Sequence, residues 1–152
     1  MDIKETPDLW VLREKRRLRI PDIRQVAADC SANMQKNMIE EGLEIDGPWL
    51  FISYNLPKDG KTFFDWEICC PIKMPADYHG KVELIHLEPI MVASRVYQGS
   101  LRTLFTQGYA PLIAELDRSR YIYSGESREI YHGWNGAGSF YHRIEIQFGL
   151  AR

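Results

Sequence analysis

Two stretches decide the fold: Phe63-Phe-Asp-Trp-Glu67-Ile-Cys-Cys70 and Tyr141-His-Arg-Ile-Glu145-Ile-Gln-Phe148, which lie 78 residues apart in a chain of 152. Each places a glutamate, then an isoleucine, four and five residues after an aromatic ring. The echo extends without a gap: Leu101, Leu104, Phe105, Leu112 and Leu116 fall on Ile23, Val26, Ala27, Met34 and Met38, and Gly125, Ile130 and Gly138 fall on Gly47, Ile52 and Gly60. Agreement of hydrophobic period and breaker positions, more than identity, marks a duplicated supersecondary unit.

Outward from those stretches the elements follow. Trp10 to Ile20 alternates, with Leu12, Leu18 and Ile20 on one face and Arg13, Lys15, Arg17 and Arg19 on the other, as in a half-buried strand whose basic side is solvated. A helix is predicted from about Pro21 to Glu41 on the stripe Ile23, Val26, Ala27, Cys30, Met34 and Met38, ending before Gly42. Strands over Trp49–Tyr54 and Thr62–Ile72 flank the turn Pro57-Lys58-Asp59-Gly60. A linker, about 73–81, separates this first repeat (about 8–72) from a second (about 82–150).

The second repeat opens with a lead-in strand, Val82–Glu88, and an entry strand, Pro89–Gln98. Ser100 is placed to cap a helix bearing Leu101, Leu104, Phe105, Leu112 and Leu116, which Pro111 should kink beside Gly108. Arg120–Tyr123, Arg128–Gly133 and Phe140–Leu150 read as strand. The expectation is one α+β domain over 1–152: tandem strand-helix-strand-strand units, an antiparallel sheet with two main helices, and a central cleft.

A net charge of −2 with pI near 6.1 supplies no broad basic field for nucleic acid. No run approaches the roughly 18 apolar residues of a membrane span. The acidic start, MDIKETPDLW, has no secretory layout, so a cytoplasmic protein is expected. Cys30, Cys69 and Cys70 form no C-x-x-C pair, and as strand neighbours Cys69 and Cys70 point to opposite faces. The histidines His79, His86, His132 and His142 lack metal-ligand spacing, so neither metal nor cofactor is expected.

Candidate chemistry centres on the two glutamates. Alternation sends Glu145 to water beside Arg143, whereas Glu67 sits among rings and thiols where a lone carboxylate is costly. Tyr54, Tyr131, Trp134 and Tyr141 surround the hairpins that present them. Rings with a carboxylate make a site for a bulky or flat cation, and the same rings also suit a core.

Three segments resemble the GyrI-like small-molecule-binding family, whose fold serves as effector domain in multidrug-responsive regulators: Met91-Val-Ala-Ser-Arg-Val-Tyr-Gln-Gly-Ser-Leu101, Ile130-Tyr131-His132, and Phe140-Tyr-His-Arg-Ile-Glu145-Ile-Gln-Phe148. The resemblance implies a last-strand glutamate facing a cation, matched by Glu145. The chain departs from the family's Gly-Pro-Tyr with Gly99-Ser100-Leu101, and has His132-Gly133-Trp134 where acids are common. No segment is left over for a helix-turn-helix, so DNA contact is not expected.

The resemblance therefore implies a binder of lipophilic, cationic aromatic molecules. Glu145 and Glu67 would be the acids, and Tyr54, Phe63, Tyr131, Trp134 and Tyr141 the walls. The alternative is a hydrolase of cyclopropane-bearing genotoxins, with Glu145 or Glu67 as general base and Tyr131 or Tyr141 as hydrogen-bond donor.

Overall fold

The computed structural model describes residues 1–74, 77–134, 136 and 142–151. Eight strands form one sheet in which every neighbouring pair is antiparallel. They are β1 (Asp2–Glu5), β2 (Leu9–Leu18), β3 (Leu50–Tyr54), β4 (Phe64–Pro71), β5 (Glu83–Leu87), β6 (Met91–Gly99), β7 (Tyr123–Gly133) and β8 (His142–Leu150). The order across the sheet is β1-β6-β8-β7-β3-β4-β2-β5.

That order reads the same from both ends once the corresponding strands of the two halves are matched, with β3 against β7 at the centre. The lead-in strands exchange sides. β1, which precedes β2, pairs with β6, and β5, which precedes β6, pairs with β2. The sequence reading had no strand at β1, because four residues beside Pro7 carry too little pattern. The β3–β7 register sets Phe51 directly opposite Glu129, two residues that also coincide in the 78-residue echo.

α1 (Ile23–Glu41) follows a 3-10 turn over Ile20–Asp22 that holds Pro21. It stops where Gly42 takes φ +64°, a left-handed cap that only glycine adopts without strain. Cys30, Met34 and Met38 are buried along one face at a spacing of four, and pack with Leu12, Leu18, Trp66, Ile68 and Cys70.

The second helical segment is irregular: a 3-10 turn over Leu101–Thr103, π turns over Leu104–Tyr109, then α2 (Ala110–Asp117). Pro111 sits in the first turn of α2, so its missing N–H falls where the regular ladder begins, and the widened turns lie just before it. Ser100 makes no capping hydrogen bond, contrary to the sequence expectation. Leu112 and Leu116 pack with Tyr97, Tyr109, Ile146 and Phe148.

Both helical segments lie on one face, α1 over β2 and β4 and the second over β6. Among the described residues neither helical segment packs chiefly on β3 or β7, the central strip between them. On the opposite face no helix among the described residues packs, yet Val11, Leu50, Ile52 and Cys69 are buried there. Leu9, Tyr54, Ile85, Leu87 and Ile130 pack against them. Cys70 belongs to the helix-side core and Cys69 to the other, so the vicinal thiols do point apart. No helix among the described residues is long and apolar enough to cross a membrane.

Candidate functional site

The period of two along β7 divides its side chains between two environments. Ser127, Glu129 and Tyr131 face the helices, whereas Glu126, Arg128, Ile130 and His132 face the other way.

On the helix-free face lie both glutamates singled out from the sequence. Glu145 is 5% exposed, opposite to the wetted position that alternation implied, and its charge is fully engaged. Lys4 Nζ lies 2.6 Å from Oε2, which also accepts from Ser94 Oγ at 2.7 Å and Gln147 Nε2 at 2.8 Å; His132 Nε2 is 2.9 Å from Oε1. Burial pushes this carboxyl up, but hydrogen bonds from Lys4, Gln147, His132 and Ser94 outweigh it and hold the pKa at about 2.

Glu67, 6% exposed, meets Arg13 Nη1 at 3.4 Å, and Arg13 also pairs with Glu83 at 2.6 Å. The basic side of β2 is therefore only partly solvated: Arg13 is tucked in while Lys15 and Arg17 are exposed. Tyr54 adjoins Glu67; burial first, then the charges of Glu67 and Glu126, keep its phenol protonated far above neutral pH. Glu126 is bound by Arg128 through Nε and Nη2, both at 2.7 Å.

On the helix side the arrangement differs. Glu129 accepts a hydrogen bond from Tyr131 Oη at 2.5 Å on one carboxylate oxygen and from Tyr109 Oη on the other. Burial, and then the Glu129 charge, raise both phenols well above the ordinary tyrosine value, so both remain donors. Tyr131 packs against Phe51 with ring centres 4.8 Å apart and meets Trp134 edge-on at 5.5 Å; Trp134 stacks on His142 at 4.4 Å. Phe105, 59% exposed, stacks on Tyr109. Among the described residues Glu129 has no cationic partner, whereas Glu67, Glu126 and Glu145 each have one.

The residues named from sequence are thus divided. Glu67, Tyr54 and Glu145 share the helix-free face, although Glu145 stands three strands from Glu67, roughly 14 Å away at normal strand spacing. Tyr131 and Trp134 lie on the helix side around Glu129. Phe63 is 52% exposed under the Arg19 guanidinium, 5.5 Å from its ring centre, and joins neither group. Tyr141 lies outside the described residues. Sequence reasoning missed Glu129, Tyr109 and Lys4; the available signal was the echo, which sets the acid Glu129 where the first repeat carries the ring of Phe51.

Solved structures of other proteins share this architecture. EcmrR, seen in a DNA complex, matches 98% of this chain with a TM-score of 0.79 at 20% identity. This chain spans 56% of EcmrR. The chain has the GyrI-like fold. Two further GyrI-like neighbours extend the set. SAV2435 bound to tetraphenylphosphonium matches 99% of this chain and 93% of its own, with a TM-score of 0.64 at 15% identity. A hydrolase from Listeria innocua matches 99% and 91%, with a TM-score of 0.60 at 10% identity. No family model and no curated protein matches the sequence. At these identities the likeness concerns the GyrI-like fold alone.

Proposed function

We propose that this GyrI-like chain is a cytoplasmic small-molecule-binding protein for hydrophobic, cationic aromatic compounds. Its site is the strip between the helices, with Glu129 as countercharge and Phe51, Tyr109, Tyr131 and Trp134 as walls. One observation carries the reading: among the described residues, Glu129 is the ring-flanked carboxylate of the sheet held by neutral phenols instead of by a lysine or arginine. A ligand cation can pair with it without first displacing a protein cation, and each ring adds roughly 0.5–2 kcal/mol of cation–π attraction. Glu145 and Glu67, the acids picked from sequence, are already neutralised by Lys4 and Arg13. Tetraphenylphosphonium in SAV2435 is a ligand of this chemical class. Stacking plus one countercharge demands little shape match, so binding should be promiscuous.

Calorimetric titration with tetraphenylphosphonium tests this. Glu129→Gln should weaken the cation about tenfold or more, as loss of a charge-assisted contact implies, and leave neutral triphenylphosphine oxide within about twofold. Equal losses for the two ligands, or a larger loss from Glu145→Gln, would falsify the role of Glu129.

A second reading, hydrolysis of a cyclopropane-bearing compound, is favoured by the Tyr131 phenol 2.5 Å from the Glu129 carboxylate, a proton donor beside a base. Glu145, with its pKa at about 2, is a weak base at neutral pH. Mass analysis separates the readings: turnover adds one water to the compound, and a binder returns it unchanged.

A further inference from the structure

The helix-free face opens into a cleft of about 400 Å³ where β2, β4 and β3 run side by side. Its walls are Lys15, Arg16, Arg17, Tyr54, Asp65, Trp66 and Glu67. A space of this size accommodates a small ligand. Nothing in the cation-binding role of Glu129 uses it, since Glu129 faces the other side of the sheet.

The charge of the cleft runs opposite to that of the Glu129 strip. Its lining holds three cations against two carboxylates, and both carboxylates are paired: Asp65 with Arg17 at 3.2 Å, and Glu67 at 3.4 Å with Arg13, which projects from the same face of β2 and is shared with Glu83. Arg16 leans away, donating to the Lys15 carbonyl and pairing with Glu14 at 3.6 Å. Lys15 forms no hydrogen bond or ion pair among the described residues, although its backbone lies directly across from Glu67. Tyr54 and Glu126 are opposed across β3 and β7, and Glu126 is neutralised by Arg128. An ammonium without a partner among the described residues thus borders the same cleft as a phenol that stays uncharged.

We infer that this cleft is a second binding site, selective for small aromatic anions, in which Lys15 with Arg17 takes the carboxylate or sulfonate and Tyr54 stacks on the ring. Charge and stacking act together here, so a neutral compound of the same shape lacks half of the recognition. The site is independent of the Glu129 reading.

Calorimetric titration with naphthalene-2-sulfonate, and with 2-naphthol at pH 7 as its neutral counterpart, tests the inference on the whole chain. The sulfonate should bind about tenfold tighter than the naphthol. Lys15→Glu, at an exposed position, should weaken the sulfonate about tenfold, Lys15→Arg should hold it within about twofold, and Glu129→Gln should leave it unchanged. Added salt should weaken it further, as exposed ion pairs are screened. Absence of sulfonate binding, equal binding of naphthol, indifference to Lys15→Glu, or loss on Glu129→Gln would each overturn the assignment.

Discussion

Glu145 keeps its charge because four neighbours hold it, and that has a consequence for stability against pH. Its carboxyl titrates near the ordinary 4.5 in the unfolded chain and at about 2 in the folded one. A depressed folded-state pKa contributes stability that is complete above the unfolded value and is lost as pH falls toward the folded one. Acid denaturation of the wild type should therefore steepen between pH 4.5 and 2. Glu145→Gln should cost about 2 kcal/mol at pH 7, in the range for breaking a buried charged network, and almost nothing at pH 2. Urea melts across pH check both. The burial of this residue was not legible from its strand, because alternation records which side of a strand a residue takes and not whether long rim side chains such as Lys4 will cover that side. Glu129 was hidden for a related reason: β7 alternates Ser127, Glu129 and Tyr131 with Arg128, Ile130 and His132, and neither set is clearly apolar. Tyr131 and Trp134 were legible as walls of a site, but the carboxylate they accompany was not.

At the scale of elements, periodicity located both helices and most strands, since stripes such as Cys30, Met34 and Met38 have no other use. It failed where an element is short or irregular. β1 has four residues, and the π turns that hold Gly108 run straight into Pro111 in the first turn of α2. Gly108 is buried in that segment, and an added Cβ would come within 2.8 Å of Ile146 Cδ1 and 3.3 Å of the Tyr97 Cβ. Ile146 is fully buried on β8, so it has no open direction to yield. Gly108→Ala should destabilise by about 1–3 kcal/mol through overpacking, despite the better helix propensity of alanine. Because the segment also positions Tyr109 against Glu129, the same change should weaken tetraphenylphosphonium binding. Chemical denaturation and calorimetry on one sample measure the two effects together.

For the whole molecule, the exchange of lead-in strands ties the halves together. The piece 1–74 holds the edge strand that completes β6, and the piece 77–152 holds the one that completes β2. Neither half closes its own sheet, and the central β3–β7 pairing is shared. Expressed apart, the two pieces should show little protected amide signal by hydrogen exchange; mixed, they should recover the intact pattern, and the uncut chain should melt in one transition. Independent folding of either piece would show the exchange to be dispensable. The 78-residue echo announced the matching elements in sequence, but the choice of partner for β1 and β5 is made across the sheet, where no local pattern records it.

Arg128 and Glu129 are joined by one peptide bond and project through opposite faces of β7, so the sheet acts as a thin insulating partition with a fixed polarity across it. Lys15 stands three strands from Glu129, about 14 Å along the sheet, and on its other face, so a cation resting on Glu129 and an anion resting on Lys15 lie well beyond the screening length of about 8 Å at physiological salt. Saturating the site on one face should then leave affinity on the other within about twofold.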